Sequence, residues 1–190
     1  MAADKPAITD LRDFRESLFP LEYYAKVQGT IESILETVNT SYDTRTIDEV
    51  FSVLRHFLHL SYGRLYVYDA ERNQLTAKHG RTLALAALGR GHYSVGEGVT
   101  GQAFMENQAL YVRDLVHQPM YKGRSLKAQD LPYKDPAYLA VPFYGENLSG
   151  VVGFHLNARS RFDVISTIAI VSLIAEWFAN KQFVFAREAA

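Results

Sequence analysis

Hydrophobic positions along this chain change period as the chain proceeds. From Leu21, the apolar residues Tyr24, Val27, Ile31, Ile34, Leu35 and Val38 recur at helical spacing, and Asn39-Thr40-Ser41 closes the run. A second helical stripe starts after Thr44 or Thr46 and is carried by Ile47, Val50, Phe51, Leu54, Phe57 and Leu58. The period then drops to two. In RLYVYD, Leu65 and Val67 alternate with Tyr66 and Tyr68, and in QLTAKHG, Leu75, Ala77 and His79 fall on one face. Turn residues Asp69 to Asn73 lie between them, so a β-hairpin is predicted. Residues 82–91, rich in Ala and Leu and stopped by Gly89 and Gly91, read as a short helix or a loop insert. A short helix over Thr100 to Glu106 and a strand over Ala109 to Leu115 come next. Two strands near 137–144 and 148–157 follow, joined by Gly145-Glu146-Asn147. A last helix begins at Asp163, a residue suited to an N-cap, and runs toward the C-terminus. Residues 1–20 are polar with Pro6 and Pro20, which predicts a frayed arm or one short helix and leaves 21–190 as a single domain. Helix, helix, hairpin, insert, strand, hairpin, helix is an α+β order, with helices layered on an antiparallel sheet.

Composition narrows the function classes. The 48% hydrophobic content of the 190 residues supports a sizeable core in one domain, and a net charge of −1 gives no reason to expect nucleic acid or an acidic membrane surface. The absence of cysteine excludes disulfides, thiolate zinc sites, cysteine nucleophiles and thioether-linked chromophores. The opening MAADKPAITD is neither basic nor apolar, unlike a signal peptide. The longest apolar run, Ile165 to Phe178, is interrupted by Ser166, Thr167, Ser172 and Glu176 and is too short to span a bilayer. A cytoplasmic protein is expected.

The stretch GEGVTGQAFMENQALYVRDLVHQPMY, residues 96–121, contains G-x-G-x-x-G at Gly96, Gly98 and Gly101. A dinucleotide-binding reading needs a long helix after the glycines and an acid about 20 residues on. Here the helix runs out at Asn107-Gln108 and the next acid at a strand end, Asp114, is too close. The same stretch resembles the glycine-rich core motif of GAF domains, which are small-molecule sensor modules. In that family the glycine turn leads to a short helix, a strand ending in Asp and a loop with Pro, and here Asp114 and Pro119 hold those positions. The segment AYLAVPFYGENLSGVVGFHLNA, residues 137–158, is similar to the family's closing hairpin. The resemblance runs from about Tyr24 to about Arg187. It implies a sheet of about five to six strands with helices on both faces, as in GAF and PAS domains, and long terminal helices packed together. Family members that reduce free methionine sulfoxide need cysteines, which this chain lacks.

The connection from Val116 to Asp135 is about 20 residues without clear periodicity, and such loops in compact domains are usually functional or disordered. It carries His117, Tyr121, Lys122, Arg124, Lys127, Tyr133 and Lys134 against Asp130 and Asp135. In GAF domains the matching segment covers a pocket on one sheet face, so the resemblance puts a ligand beneath it. The local excess of positive charge favours an anion. Arg113, Phe104 and Tyr138 complete the candidate ligand-binding set, although only one of Arg113 and Asp114 faces the pocket if strand alternation holds. Gly96, Gly98, Gly101, Asp114 and Pro119 read as structural: glycines for positive φ and close approach, Asp114 as an acceptor for loop N–H groups. Among the six histidines, His56 and His59, spaced i, i+3, would share a face only if both lay on a helix, and no third ligand accompanies them. His155 and His79 read as partly buried, hydrogen-bonded residues, with a ligand contact as the alternative. No metal, haem or bilin is expected. The cyclic-nucleotide signature of the family is absent, as are paired carboxylates, a Ser-His-Asp order and a Walker motif. The expected function is a non-enzymatic GAF sensor of a bacterial signalling or transcription-regulatory protein. It would bind a small, anionic molecule and form homodimers through its terminal helices, without touching nucleic acid or membrane. The alternative is a GAF-fold dimerisation domain with no ligand.

Overall fold

Two helices lead the structure, α1 (Leu21–Thr37) and α2 (Thr44–Leu58), on the two predicted stripes. The computed structural model describes residues 21–37, 44–80, 91–124, 126–158 and 164–180. The strands β1 (Ser61–Asp69), β2 (Gln74–Gly80) and β3 (His92–Ser94) precede α3 (Gly98–Glu106) and β4 (Leu110–Val112). One turn of 3₁₀ helix at Ala128–Asp130 interrupts the long connection, and β5 (Pro136–Phe143), β6 (Gly150–Asn157) and α4 (Val164–Asn180) follow. The six strands form one antiparallel sheet in the order β3-β2-β1-β6-β5-β4. The predicted arm, residues 82–90 of the predicted insert and the N-cap at Asp163 lie outside the described residues. β3 is an addition to the predicted elements, because three residues are too few to show a period. β4 is shorter than the predicted strand 109–115.

Strand alternation sorts the sheet into two buried faces. On one, Leu65, Leu139, Val141, Val152, Phe154 and Leu156 meet Val27 and Ile31 of α1, Phe51 and Leu54 of α2, and Val171, Ile174 and Phe178 of α4. Each large side chain buried in this way contributes about 1.5–3 kcal/mol relative to exposure. On the other, Tyr66, Leu75, Ala77, Tyr138, Ala140 and Val151 lie under Val99, Ala103 and Phe104 of α3 and under Leu115 and Leu131 of the long connection. Helices therefore cover one face, while α3 and a loop cover the other.

The expected grouping of His79 with Leu75 and Ala77 is corrected by a register shift. β1 and β2 pair Tyr66 with Ala77 but Leu65 with His79, so Lys78 is the extra residue of a bulge. A one-residue slip reverses facing. His79 consequently lies on the helix side, its Nε2 3.1 Å from Asp48 Oδ1 of α2 and its ring 6.1 Å from that of Phe51.

Candidate functional site

The glycine motif makes a tight knot that aims α3. Gly96 and Gly98 have φ of +81° and +66°, and Gly101 N–H donates to Glu97 O at 3.0 Å. α3 ends after one to two turns beyond the motif because Asn107 takes a left-handed conformation, φ 51°, that Asn tolerates. β4 stops at Val112, so alternation no longer separates Arg113 from Asp114. Both are exposed and line one cleft of about 500 Å³ with His117, Lys134 and Asp135. Asp114 Oδ1 accepts the N–H groups of Val116 (3.1 Å) and His117 (3.3 Å), and Oδ2 lies 2.8 Å from His117 Nδ1. The hydrogen bond from His117 holds the Asp114 carboxyl below its usual range. Pro119 occupies the second position of a turn closed by Tyr121 N–H to Gln118 O at 3.0 Å.

Beneath the loop lies a cluster of buried polar and aromatic groups. Arg64 and Tyr66 of β1, Tyr138 of β5 and His155 of β6 are all essentially solvent-free. Tyr138 Oη is 3.1 Å from Thr100 Oγ1 of α3, and its ring stands 4.8 Å from the His155 ring. Two glycines make the space: a Cβ on Gly153 would meet the Tyr138 hydroxyl at 2.1 Å, and one on Gly80 would meet Arg64 Cδ at 2.7 Å. Arg64 Nη1 donates to Gly63 O at 2.9 Å. Burial lowers the pKa of this guanidinium, and burial raises those of Tyr93, Tyr121 and Tyr138, so the hydroxyls stay protonated. Desolvation, reinforced by the Arg64 charge, lowers His155 to about 3, so its imidazole is neutral at physiological pH.

Tyr121 and Arg124 fasten the loop over this face. Tyr121 Oη donates to Leu126 O at 2.5 Å and lies 2.7 Å from His155 Nε2. Arg124 bonds Glu97 and His92 O, and its guanidinium lies 5.5 Å from the centre of the Tyr93 ring. Of the predicted ligand-binding residues, Tyr121 and Tyr138 come together here, with ring centres 5.8 Å apart. Lys122 and Lys127 line a cleft of about 310 Å³ on the outer side of Tyr121. Arg124 is engaged by the glycine motif, Arg113 and His117 belong to the separate cleft, and Phe104 stacks between Tyr68 and Tyr144. Sequence reasoning missed Arg64, Tyr66 and Thr100. The signal for Arg64 was its parity: in GRLYVYD it falls on the face of Tyr66 and Tyr68, and both faces of this strand are buried. A larger cleft of about 530 Å³, lined by Arg55, His59, Tyr62 and Tyr133 among others, opens at the end of α2.

The profile of the GAF domain family matches residues 44–180, most of the chain. The chain belongs to the GAF domain family. It is 31% identical over 117 residues to the Nif-specific regulatory protein of Herbaspirillum seropedicae, a match covering 60% of this chain and 21% of that regulator. The GAF domain thus spans about a fifth of the regulator it resembles. Among solved structures, it is similar to the Nlh2 GAF domain of A. aeolicus in an inactive state. The TM-score is 0.67 at 17% identity, over 83% of this chain and 94% of that one. It is also similar to the free methionine-R-sulfoxide reductase of Neisseria meningitidis, with a TM-score of 0.61 at 17% identity over 84% and 92% of the two chains. These structural likenesses establish the shared fold. Among the described residues no helix is long and apolar enough to cross a membrane, and no cluster of three or more His, Asp or Glu is arranged for a metal ion.

Proposed function

We propose that this GAF domain is a regulatory sensor of a cytoplasmic signalling or transcription-control protein. A small anionic ligand binds beneath residues 116–135, and the rearranged loop shifts the balance between two settings of the terminal helices α1 and α4. A ligand does this only through its differential affinity for the two settings. The observation that carries the reading is the construction of the cover. A long connection without continuous secondary structure is fastened by Tyr121 and Arg124 over a buried polar cluster, with Lys122 and Lys127 beside the Tyr121 fastening. Fastenings of this kind close a site and release it at modest cost, unlike a packed helix. The regulatory role of the Herbaspirillum relative supports the same reading.

The test is a thermal-shift panel of carboxylates, nitrate and phosphates on the whole chain. At about 100-fold saturation a ligand stabilises by roughly 2.7 kcal/mol. Wild type should respond to at least one anion class, and Lys122→Ala/Arg124→Ala/Lys127→Ala should weaken that response while keeping its fold. A panel with no response in wild type would leave the second reading, a dimerisation domain without ligand. The weakly polar outer face of α4 favours that alternative, since Glu176 is the one charged residue of the helix.

A further inference from the structure

Arg64 sits at the one place in the sheet where both flanking strands carry glycine. It pairs with Gly80 of β2 on one side and Gly153 of β6 on the other. Side chains at those positions would collide with Arg64 itself and with the Tyr138 hydroxyl. The sheet is thus hollowed on the loop face, and the guanidinium and a phenol lie in the hollow. The groups gathered about Arg64 are the tyrosyls of Tyr66, Tyr138, Tyr121 and Tyr93 and the imidazole of His155. A buried guanidinium offers only donors and positive charge, and the protonated hydroxyls beside it can donate as well, which favours an anion.

Tyr121 borders both this cluster and the outer cleft. Its ring is 5.8 Å from those of both Tyr138 and His155, and the same residue lines the outer cleft that holds Lys122 and Lys127. Outward rotation of Tyr121 joins the cleft to the hollow and vacates the volume of one phenol. Interiors are close-packed, so the vacated volume limits the guest to about that size, far below a nucleotide. A guanidinium fork binds carboxylate and phosphate alike bidentately, and the surrounding aromatic rings favour the anion that carries an apolar body, an organic carboxylate.

We propose that Arg64 anchors the carboxylate of a ring-sized or smaller organic acid, and that Tyr121 is the gate this acid displaces from His155. The proposal rests on the ligand-binding reading above and names the ligand class and the residue that recognises it. Occupancy is then reported directly to the loop, because the displaced residue is the one that fastens it.

Calorimetric titration of the whole chain with benzoate and pyruvate, each against its neutral amide, tests the proposal. The acids should bind wild type at least tenfold more tightly than the amides. Lys122→Ala/Lys127→Ala should retain that preference, because it is set at Arg64, and Arg64→Gln should abolish it. Tyr121→Ala, which empties the gate position, should bind the acids several-fold more tightly, and this holds as a test even if Arg64→Gln does not fold. Equal binding of acid and amide, or a preference that disappears with the two lysines, overturns the Arg64 anchor while the ligand-binding reading stands. Tyr121→Ala binding no more tightly than wild type overturns the gate. Binding of neither acid nor amide to wild type or Tyr121→Ala overturns the proposal, and if the wider anion panel also fails, the reading beneath it falls as well.

Discussion

At Gly101 the backbone is not in the left-handed region, yet a Cβ there would stand 2.3 Å from Ser94 O, a main-chain atom that no side-chain rotation removes. Gly101→Ala therefore forces the knot apart, and a loss of about 1–3 kcal/mol is expected by analogy with other overpacked sites. Urea titration checks it; a midpoint unchanged from wild type would show that the knot relaxes freely. His155 supports a second prediction at this scale. Its folded pKa, about 3, lies below the ordinary histidine value because burial and Arg64 disfavour the imidazolium. Between those two values the unfolded chain binds a proton that the folded chain does not, so stability rises with pH. The contribution is complete above about pH 6.5 and is lost as pH falls toward 3. Wild type should lose up to roughly 1.4 kcal/mol per pH unit more than His155→Gln between pH 6.5 and 5, where most carboxylates do not yet titrate. Equal slopes for the two proteins would mean that His155 is protonated in the fold.

Elements were legible in the sequence where the chain sees one solvent-excluded stripe or clear alternation. α1, α2 and the β1–β2 hairpin satisfy this, whereas β5 and β6, buried on both faces, were marked by the Gly145-Glu146-Asn147 turn and the family resemblance. β3 and the shortness of β4 were not legible, because their pairing is decided by partners far along the chain rather than by a local period. The candidate site divides in the same manner. The loop announced itself by length and charge, whereas Arg64 was concealed in a strand whose two faces are both buried, and its glycine neighbours belong to two other strands. The bulge that turns His79 away is likewise a property of the pairing, not of β2 alone. The loop element yields its own prediction. Arg124 and Glu97 are partly exposed, so their pair adds little to global stability. Arg124→Ala should leave the melting temperature nearly unchanged but speed amide exchange across residues 118–128, since the Arg124 fastening is gone. Hydrogen-exchange mass spectrometry measures this, and exchange at the wild-type rate would assign the closed loop to Tyr121 and packing alone.

For the whole molecule, the question is what covers the outer side of α4. The inner side is spent on the sheet and on the other helices: Val171, Ile174, Ala175 and Phe178 are buried in the shared core. The outward positions are Ala169, Ser172, Leu173, Glu176 and Trp177, exposed or half-buried. A solvent-facing helix surface ordinarily carries several charges, and here Glu176 is the only one in 17 residues. α1, by contrast, exposes Glu22, Lys26 and Glu32. A two-fold copy supplies a matching weakly polar face, because an isologous contact is self-complementary by symmetry. We therefore expect a homodimer in which α4 packs on α4 of the second chain, with α1 beside it. That arrangement also gives the loop an output, since a shift of the sheet against α4 changes how two chains meet. Light scattering at micromolar concentration should return about twice the monomer mass of 21.5 kDa. Leu173→Glu, at a half-buried outward position, should halve it without unfolding the domain, because two buried like charges across a symmetry axis repel and are poorly solvated. A monomer mass for wild type across that concentration range would refute the dimer. A Leu173→Glu protein that remains dimeric would move the interface off this face of α4.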